Sequence, residues 1–122
     1  MGGIRQQQAV AIVSVPAWIA AGVDRLDVLV DGQPVGDLHL RLCAPCRLGL
    51  IEHVRIDRQY RRRGLGRRLV AAATEGRSVW SWSTTVISDN AEARTFAAAG
   101  IWPGPPRPQW CAHMRAADDL ML

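Results

Sequence analysis

The stretch IEHVRIDRQYRRRGLGRRLVAAATE, residues 51–75, admits few folds. Residues 51–57 are short, β-branched and mostly alternating, which predicts a half-buried strand. The run R-R-R-G-L-G over 61–66 breaks the alternation. Leu65, Leu69, Ala72 and Ala73 then recur at helical spacing, with Arg67 and Arg68 on the opposite side. The pattern is strand, tight turn, helix. Glycine at such a turn adopts positive φ at little cost, and its missing side chain lets an anion approach the backbone. The N–H groups of residues 63–67 then point out of a helix N-terminus, where the peptide dipoles favour negative charge. Arg55, Arg58, Arg61, Arg62, Arg63, Arg67 and Arg68 crowd this stretch, out of fifteen basic residues in the chain. The turn is built for phosphate.

Two familiar phosphate turns do not fit. A Walker loop needs lysine and Ser/Thr after its second glycine, and the chain contains no lysine. A dinucleotide fingerprint needs a third glycine and an acidic residue further on, and neither is in place. The stretch resembles the coenzyme-A-binding motif of the GNAT superfamily of N-acetyltransferases. That motif is Gln/Arg-x-x-Gly-x-Gly/Ala at a helix start, after a strand ending Val-Asp-Pro-x-Tyr. Here it reads Arg61-x-x-Gly64-x-Gly66 after Ile56-Asp57-Arg58-Gln59-Tyr60, with Arg58 in place of the usual proline.

At 122 residues the chain suits one domain, 1–122, with the resemblance strongest over 25–115. An apolar fraction of 48% and a charged fraction of 21% are those of a globular protein. A net charge of +4 carried wholly by arginine fits nucleic acid, a membrane surface or a phosphorylated ligand, or simply GC-rich coding. Its clustering at one turn argues for a local anion rather than a long polyanion. Residues 9–21 are apolar after Arg5 and end in small residues, as a signal peptide would. Pro16 interrupts them and they are too short to span a bilayer, so a strand and a turn are expected.

In chain order, residues 9–15 form a first strand that stops at Pro16. Residues 25–30 and 35–42 alternate around Asp31-Gly32-Gln33-Pro34, which is turn chemistry, so they form a hairpin. Residues 42–48 lead into the central strand. Most GNAT domains carry one or two helices between their first two strands, forming a wall of the acceptor site. Only residues 16–24 are available here, so the acceptor side is abbreviated. Residues 79–87, VWSWSTTVI, read as a buried strand, and residues 91–99 as a helix ended by Gly100. Asn90, Ala93, Phe96, Gly100 and Ile101 resemble the second GNAT motif, Asn-x-x-Ala-x-x-Phe/Tyr with a closing glycine. In the family this strand splays from the central one and the pantetheine arm lies in the gap. Residues 102–108, WPGPPRP, form a stiff surface loop. Residues 110–115 read as a last strand, and 116–122 as a short amphipathic end.

Acetyl transfer to an amine needs a deprotonated amine, a donor for the oxyanion and a proton for the departing thiolate. The resemblance implies that main-chain groups of Val54, Arg55 and Ile56 bind the pantetheine and polarise the thioester. It implies that Arg61, Arg62, Arg63, Gly64, Leu65, Gly66 and Arg67 hold the pyrophosphate, and that Asn90 joins the cofactor site. Glu52 is the candidate catalytic base. On an alternating strand it shares a face with Leu50, Val54 and Ile56, and apolar surroundings raise a carboxyl pKa towards working pH. A strand glutamate paired with an arginine is the competing reading. His53 points to the other face, and His39, with no carboxylate nearby in sequence, receives no role.

Many GNAT enzymes protonate the thiolate with a tyrosine near the second motif. That region offers Phe96 and Ala97, and Tyr60 is the only tyrosine in the chain. Cys43-Ala-Pro-Cys46 is half a zinc site or a redox pair. The two further zinc ligands could come only from Cys111 and His113, far along the sequence, so free thiols in a reducing cytosol and no metal are expected.

The expectation is a GNAT-like α/β domain, in the α+β sense: a mixed, mainly antiparallel sheet of about six strands with two main helices. Its expected activity is cytoplasmic N-acetylation, with acetyl-CoA as co-substrate and an amine of a small molecule or protein as acceptor. No nucleic acid or membrane partner is expected, and a homodimer is compatible with it. The alternative is a non-catalytic acetyl-CoA-binding module that regulates a protein partner. An arginine-rich nucleic-acid binder is a third class.

Overall fold

The computed structural model describes residues 8–85 and 97–120. Strands β1 (Val10–Val15), β2 (Val23–Val30), β3 (Gln33–Cys43) and β4 (Leu48–Ile56) come first. A 3-10 turn (Arg58–Tyr60), helix α1 (Leu65–Thr74), strand β5 (Ser81–Thr84) and helix α2 (Ala112–Leu120) follow. The sheet runs β1-β2-β3-β4-β5; the first four strands are antiparallel neighbours and β5 lies parallel to β4. This is the mixed, mainly antiparallel α/β architecture expected, with five strands among the described residues.

The meander follows from its turn chemistry. β2 and β3 are joined by Asp31 and Gly32 alone, at φ 51° and 81°. Two successive positive φ values make the tight hairpin turn whose twist matches that of its strands. Gln33 and Pro34, expected in the turn, therefore already belong to β3. The apolar run before Pro16 is an edge strand paired along its length with β2. No helix among the described residues is long and apolar enough to cross a membrane.

Helix α1 buries Leu65, Leu69, Val70 and Ala73 against one sheet face, joining Val28, Leu38, Leu40 and Ile51. Val70 takes the place expected for Ala72, which is only half-buried. Each large aliphatic side chain so buried contributes about 1.5–3 kcal/mol before entropy is counted. The helix ends at Gly76, φ 72°, a left-handed stop that glycine adopts cheaply.

The sixth strand expected over 110–115 is instead the start of α2. Met114 and Ala117, three residues apart, are both buried, and the surrounding alanines favour helix over strand. α2 covers the opposite face of the sheet, where Met114 packs with Ala21, Cys43 and Leu50. Arg41 ties the layers together. It is 4% exposed on β3. Its Nε donates to Glu52 Oε1 at 2.7 Å and its Nη2 to Asp118 Oδ1 at 2.9 Å. Its guanidinium also lies 4.5 Å from the ring centre of Trp110.

The proline-rich loop runs along the outer edge of β5. Thr84 N–H donates to the Pro105 carbonyl at 3.0 Å, and Gln109 N–H to Ser83 Oγ at 2.9 Å. A Cβ on Gly104 would lie 1.9 Å from the Trp82 carbonyl oxygen, so only glycine permits this approach.

Two substitutions test the packing. A Cβ on Gly49 would sit 2.4 Å from the Trp82 ring, whose indole N–H is tied to the Arg77 carbonyl. Gly49→Ala is expected to cost about 1–3 kcal/mol, read as a lower urea midpoint at unchanged slope. An unmoved midpoint would show that Trp82 yields freely. Arg41→Ala leaves Glu52 without its partner and loosens α2; a loss of about 2–3 kcal/mol is expected, below the fully buried limit because Asp118 is half exposed.

Candidate active site

The candidate site lies along β4 past its pairing with β5. That parallel pairing runs from Leu48 opposite Ser81 to Ile51 opposite Thr84. Thr85 adds a link, from its N–H to the Ile51 carbonyl at 3.1 Å and from its Oγ1 to the Glu52 carbonyl at 3.0 Å. Among the described residues no strand pairs with residues 53–56 on this side. The Ile56 carbonyl accepts a 2.9 Å hydrogen bond from Arg61 Nε, which braces the turn that follows.

That turn delivers an open helix start. Gly64, at φ 77°, is the N-cap of α1, and a Cβ there would meet nothing within 4 Å. The Arg68 N–H closes the first helical turn on the Gly64 carbonyl at 3.0 Å. Leu65, Gly66 and Arg67 precede the first internal bond, the N-cap makes no side-chain hydrogen bond, and the first turn contains no acid. Arg62, at φ 63°, Arg63, Arg67 and Arg68 are exposed around it. Arg63 lies over the Tyr60 ring at 5.0 Å. The Arg55 guanidinium turns to Asp57. Asn90 lies outside the described residues, as do Ala93 and Phe96.

Glu52 departs from its expected surroundings. Leu40 pairs with Ile51 and His39 with His53, so Glu52 is the extra residue of a β-bulge. Strict alternation is broken there. Val54 and Ile56 pack with Ile51 on the α1 face, while Leu50 and Glu52 turn to the α2 face. The apolar setting expected for Glu52 is thus replaced by the ion pair with Arg41, the competing reading of the sequence.

His53, expected on the face opposite Glu52, shares the α2 face with it, because the bulge breaks the alternation between them. Its ring meets that of His39 edge-on, with centroids 5.2 Å apart. Asp37 lies 3.9 Å from His39 and 3.8 Å from His53. His39 therefore has a carboxylate nearby after all, two residues back along the same strand face.

The cysteines converge across their separation in sequence. Cys111 and His113 are distant in sequence from Cys43 and Cys46, yet the start of α2 lies against the β3–β4 turn. The Cys43 and Cys46 sulfurs are each 3.4 Å from His113 Nδ1, and that of Cys111 is 4.0 Å away. The thiols influence one another. Hydrogen bonding to Cys43, with some desolvation, pushes Cys46 up to about 11. Desolvation pushes Cys111 up as well, but the Met114 backbone and hydrogen bonds from Cys43, His113 and Cys46 outweigh it and bring this thiol down to about 7. Sequence reading named all four residues; it missed Arg41, Asp118 and Asp37, which only the sheet register and the α2 docking bring to the site.

Comparison with known proteins agrees with this fold. The sequence profile of the acetyltransferase (GNAT) family matches residues 15–101. No curated protein sequence matches the chain significantly. Among solved structures, an aminoglycoside N-acetyltransferase, AAC(6')-Iy, in complex with coenzyme A superposes with TM-score 0.65 at 12% identity, over 88% of this chain and 95% of that one. A ribosomal-protein-alanine N-acetyltransferase from Brucella melitensis biovar Abortus 2308 gives 0.59 at 18%, over 85% and 96%. The PaiA N-acetyltransferase from Thermoplasma acidophilum, solved with coenzyme A, gives 0.54 at 15%; this chain covers 48% of its length, with 62% of its own aligned. At such identities the likeness is one of fold. The family match spans most of the chain, and the protein belongs to the GNAT family of acetyltransferases.

Proposed function

We propose that this domain transfers the acetyl group of acetyl-CoA directly to an amine of a small molecule or protein, in the cytoplasm. One observation supports the reading: the edge of β4 at Val54–Ile56, to which no described strand pairs on the β5 side, runs straight into the open, arginine-flanked start of α1. An extended pantetheine amide can pair with such an edge as a strand would, and a pyrophosphate suits the free N–H groups of Leu65, Gly66 and Arg67. Arg61, Arg62 and Arg63 surround the same turn.

In the transfer, the amine nitrogen attacks the thioester carbonyl, a tetrahedral oxyanion forms, and the carbon–sulfur bond then breaks. Main-chain N–H groups of the Val54–Ile56 edge stabilise the oxyanion. Glu52 accepts the proton that the ammonium must lose before attack, its carboxylate oriented by Arg41 through Oε1. Coenzyme A leaves as a thiolate and takes a proton from water. With a thiol pKa of ~8.5 this departure needs no tyrosine. Tyr60 stacks under Arg63 at the arginine-rich turn.

The ion pair of Glu52 also favours a second reading, in which the domain binds acetyl-CoA and regulates a protein partner. Thiol release over a panel of amines separates the two. Acetylation of some amine, lowered by roughly 10²–10⁴ in Glu52→Gln with cofactor affinity unchanged, supports the enzyme. Binding without turnover on any amine supports the regulator.

Cofactor binding has its own test. Acetyl-CoA at a hundredfold excess over Kd should add about 2.7 kcal/mol of stability, a rise in Tm of roughly 10 °C. Gly64→Val is expected to abolish this rise. Gly76→Val supplies the control, because Gly76 has a similar φ of 72° and open surroundings but ends α1 rather than starting it. It should melt earlier through backbone strain yet keep the full acetyl-CoA response. A response retained in Gly64→Val would place the cofactor elsewhere.

A further inference from the structure

We propose that Cys43, Cys46, Cys111 and His113 bind one zinc ion in a closed, structural site, a function separate from acetyl transfer. The four ligand atoms all lie within 4.8 Å of one another. Tetrahedral zinc with Zn–S of ~2.3 Å and Zn–N of ~2.0–2.1 Å places sulfur about 3.5 Å from nitrogen, and sulfurs about 3.8 Å apart. The three sulfur-to-Nδ1 distances, 3.4, 3.4 and 4.0 Å, bracket that requirement. All three cysteines are free. A disulfide would use two of the thiols and leave the third sulfur and the imidazole without a reason to converge. Zinc uses all four.

Local structure presents the ligands in two pairs. Cys43 ends β3, and the turn closes when the Arg47 N–H donates to the Ala44 carbonyl at 3.1 Å, with Arg47 at φ 51°. This turn brings Cys46 back beside Cys43. Cys111 immediately precedes α2, and its carbonyl accepts the Arg115 N–H at 3.2 Å as the first helical bond. His113 follows within the first turn. Soft thiolates with one imidazole in a tetrahedral set select zinc over magnesium or calcium. On binding, the three thiols release their protons to solvent, and the imidazole ligates as the neutral tautomer protonated at Nε2. Four protein ligands leave no position for water or substrate, so the ion has no catalytic role.

What the ion would hold is clear from the packing. Among the described residues, the buried apolar cluster on the α2 face is Ala21, Cys43, Leu50 and Met114, with Leu48, Trp110 and Cys111 packed against it. A nucleus this small needs a staple, and the proposed ion joins the β3–β4 turn to the start of α2 beside it.

The test uses full-length protein expressed with zinc supplied and purified under reducing conditions without chelator. An equimolar zinc content is expected, and replacement by cobalt should give thiolate-to-cobalt charge-transfer bands with intense tetrahedral d–d absorption. Cys46 is exposed, so Cys46→Ser should fold by circular dichroism yet lose most of the zinc or bind it at least tenfold more weakly. His113→Ala should do the same, and strong chelation should lower the Tm of the wild type but not that of either variant. Metal-free, folded protein that takes up neither zinc nor cobalt would overturn the proposal. So would a mass lower by two hydrogens under these conditions, which marks a disulfide, or zinc retained in Cys46→Ser and His113→Ala together. The cobalt spectrum of the wild type decides the matter even if both variants misfold.

Discussion

Between Ile51 and His53 strand β4 carries one residue more than β3 does opposite it, and the two sides of the molecule are arranged around that surplus. Before it, Leu50 faces α2 and β4 runs paired to β5. At it, the consecutive residues Leu50 and Ile51 are both fully buried, each in a different core. After it, Val54 and Ile56 turn to α1. A bulge increases twist and bends its strand, so one extra residue here changes which core each following side chain joins. The division of β4 between the two cores is thus a consequence of strand register rather than of a dedicated loop.

The two faces of the sheet are held by different physics. The α1 face is a broad aliphatic surface in which burial alone is enough. The α2 face is a polar ladder with a small apolar nucleus at one end. Its Arg25, His39 and His53 lie in successive strands, as do Asp27, Asp37 and Arg55. On such a surface direction must come from polar contacts, and Arg41 supplies it by reaching Glu52, Asp118 and the Ala21 and Met114 carbonyls from one buried position. Buried ion pairs add little net stability compared with apolar packing, but they are costly to break on one side. The fork therefore fixes where α2 lies more than it strengthens the fold.

Much of this was legible in the chain. The strand–turn–helix of residues 51–75 was legible because glycine, arginine and helical spacing coincide within twenty-five residues. The hairpin was legible from Asp31-Gly32. The surroundings of Glu52 were not, because alternation assumes an unbroken register and a one-residue bulge leaves no mark in local composition. Residues 110–115 read as strand because their apolar positions fit either period over so short a window; burial of both Met114 and Ala117, with Met114 packed against Leu50, decides for helix. The meeting of the Cys43 and His113 pairs was hidden for a related reason. Sequence separation says nothing of distance once a chain returns across its own sheet.

The consecutive strand order has a consequence for how the chain acquires its shape. β1 to β4 each pair with the next strand in sequence, so the meander needs only short loops to close and can form as soon as residue 56 is available. The parallel pairing of β4 with β5 must wait for the crossover through α1, and α2 must travel back to β3 from the far end of the chain. Loop-closure entropy orders these events from local to remote. The arginine-flanked turn, lying between the meander and the crossover, needs only contacts that close before α2 can dock. An intermediate lacking only docked α2 would already carry this turn, with Arg41 and Leu50 still open to water.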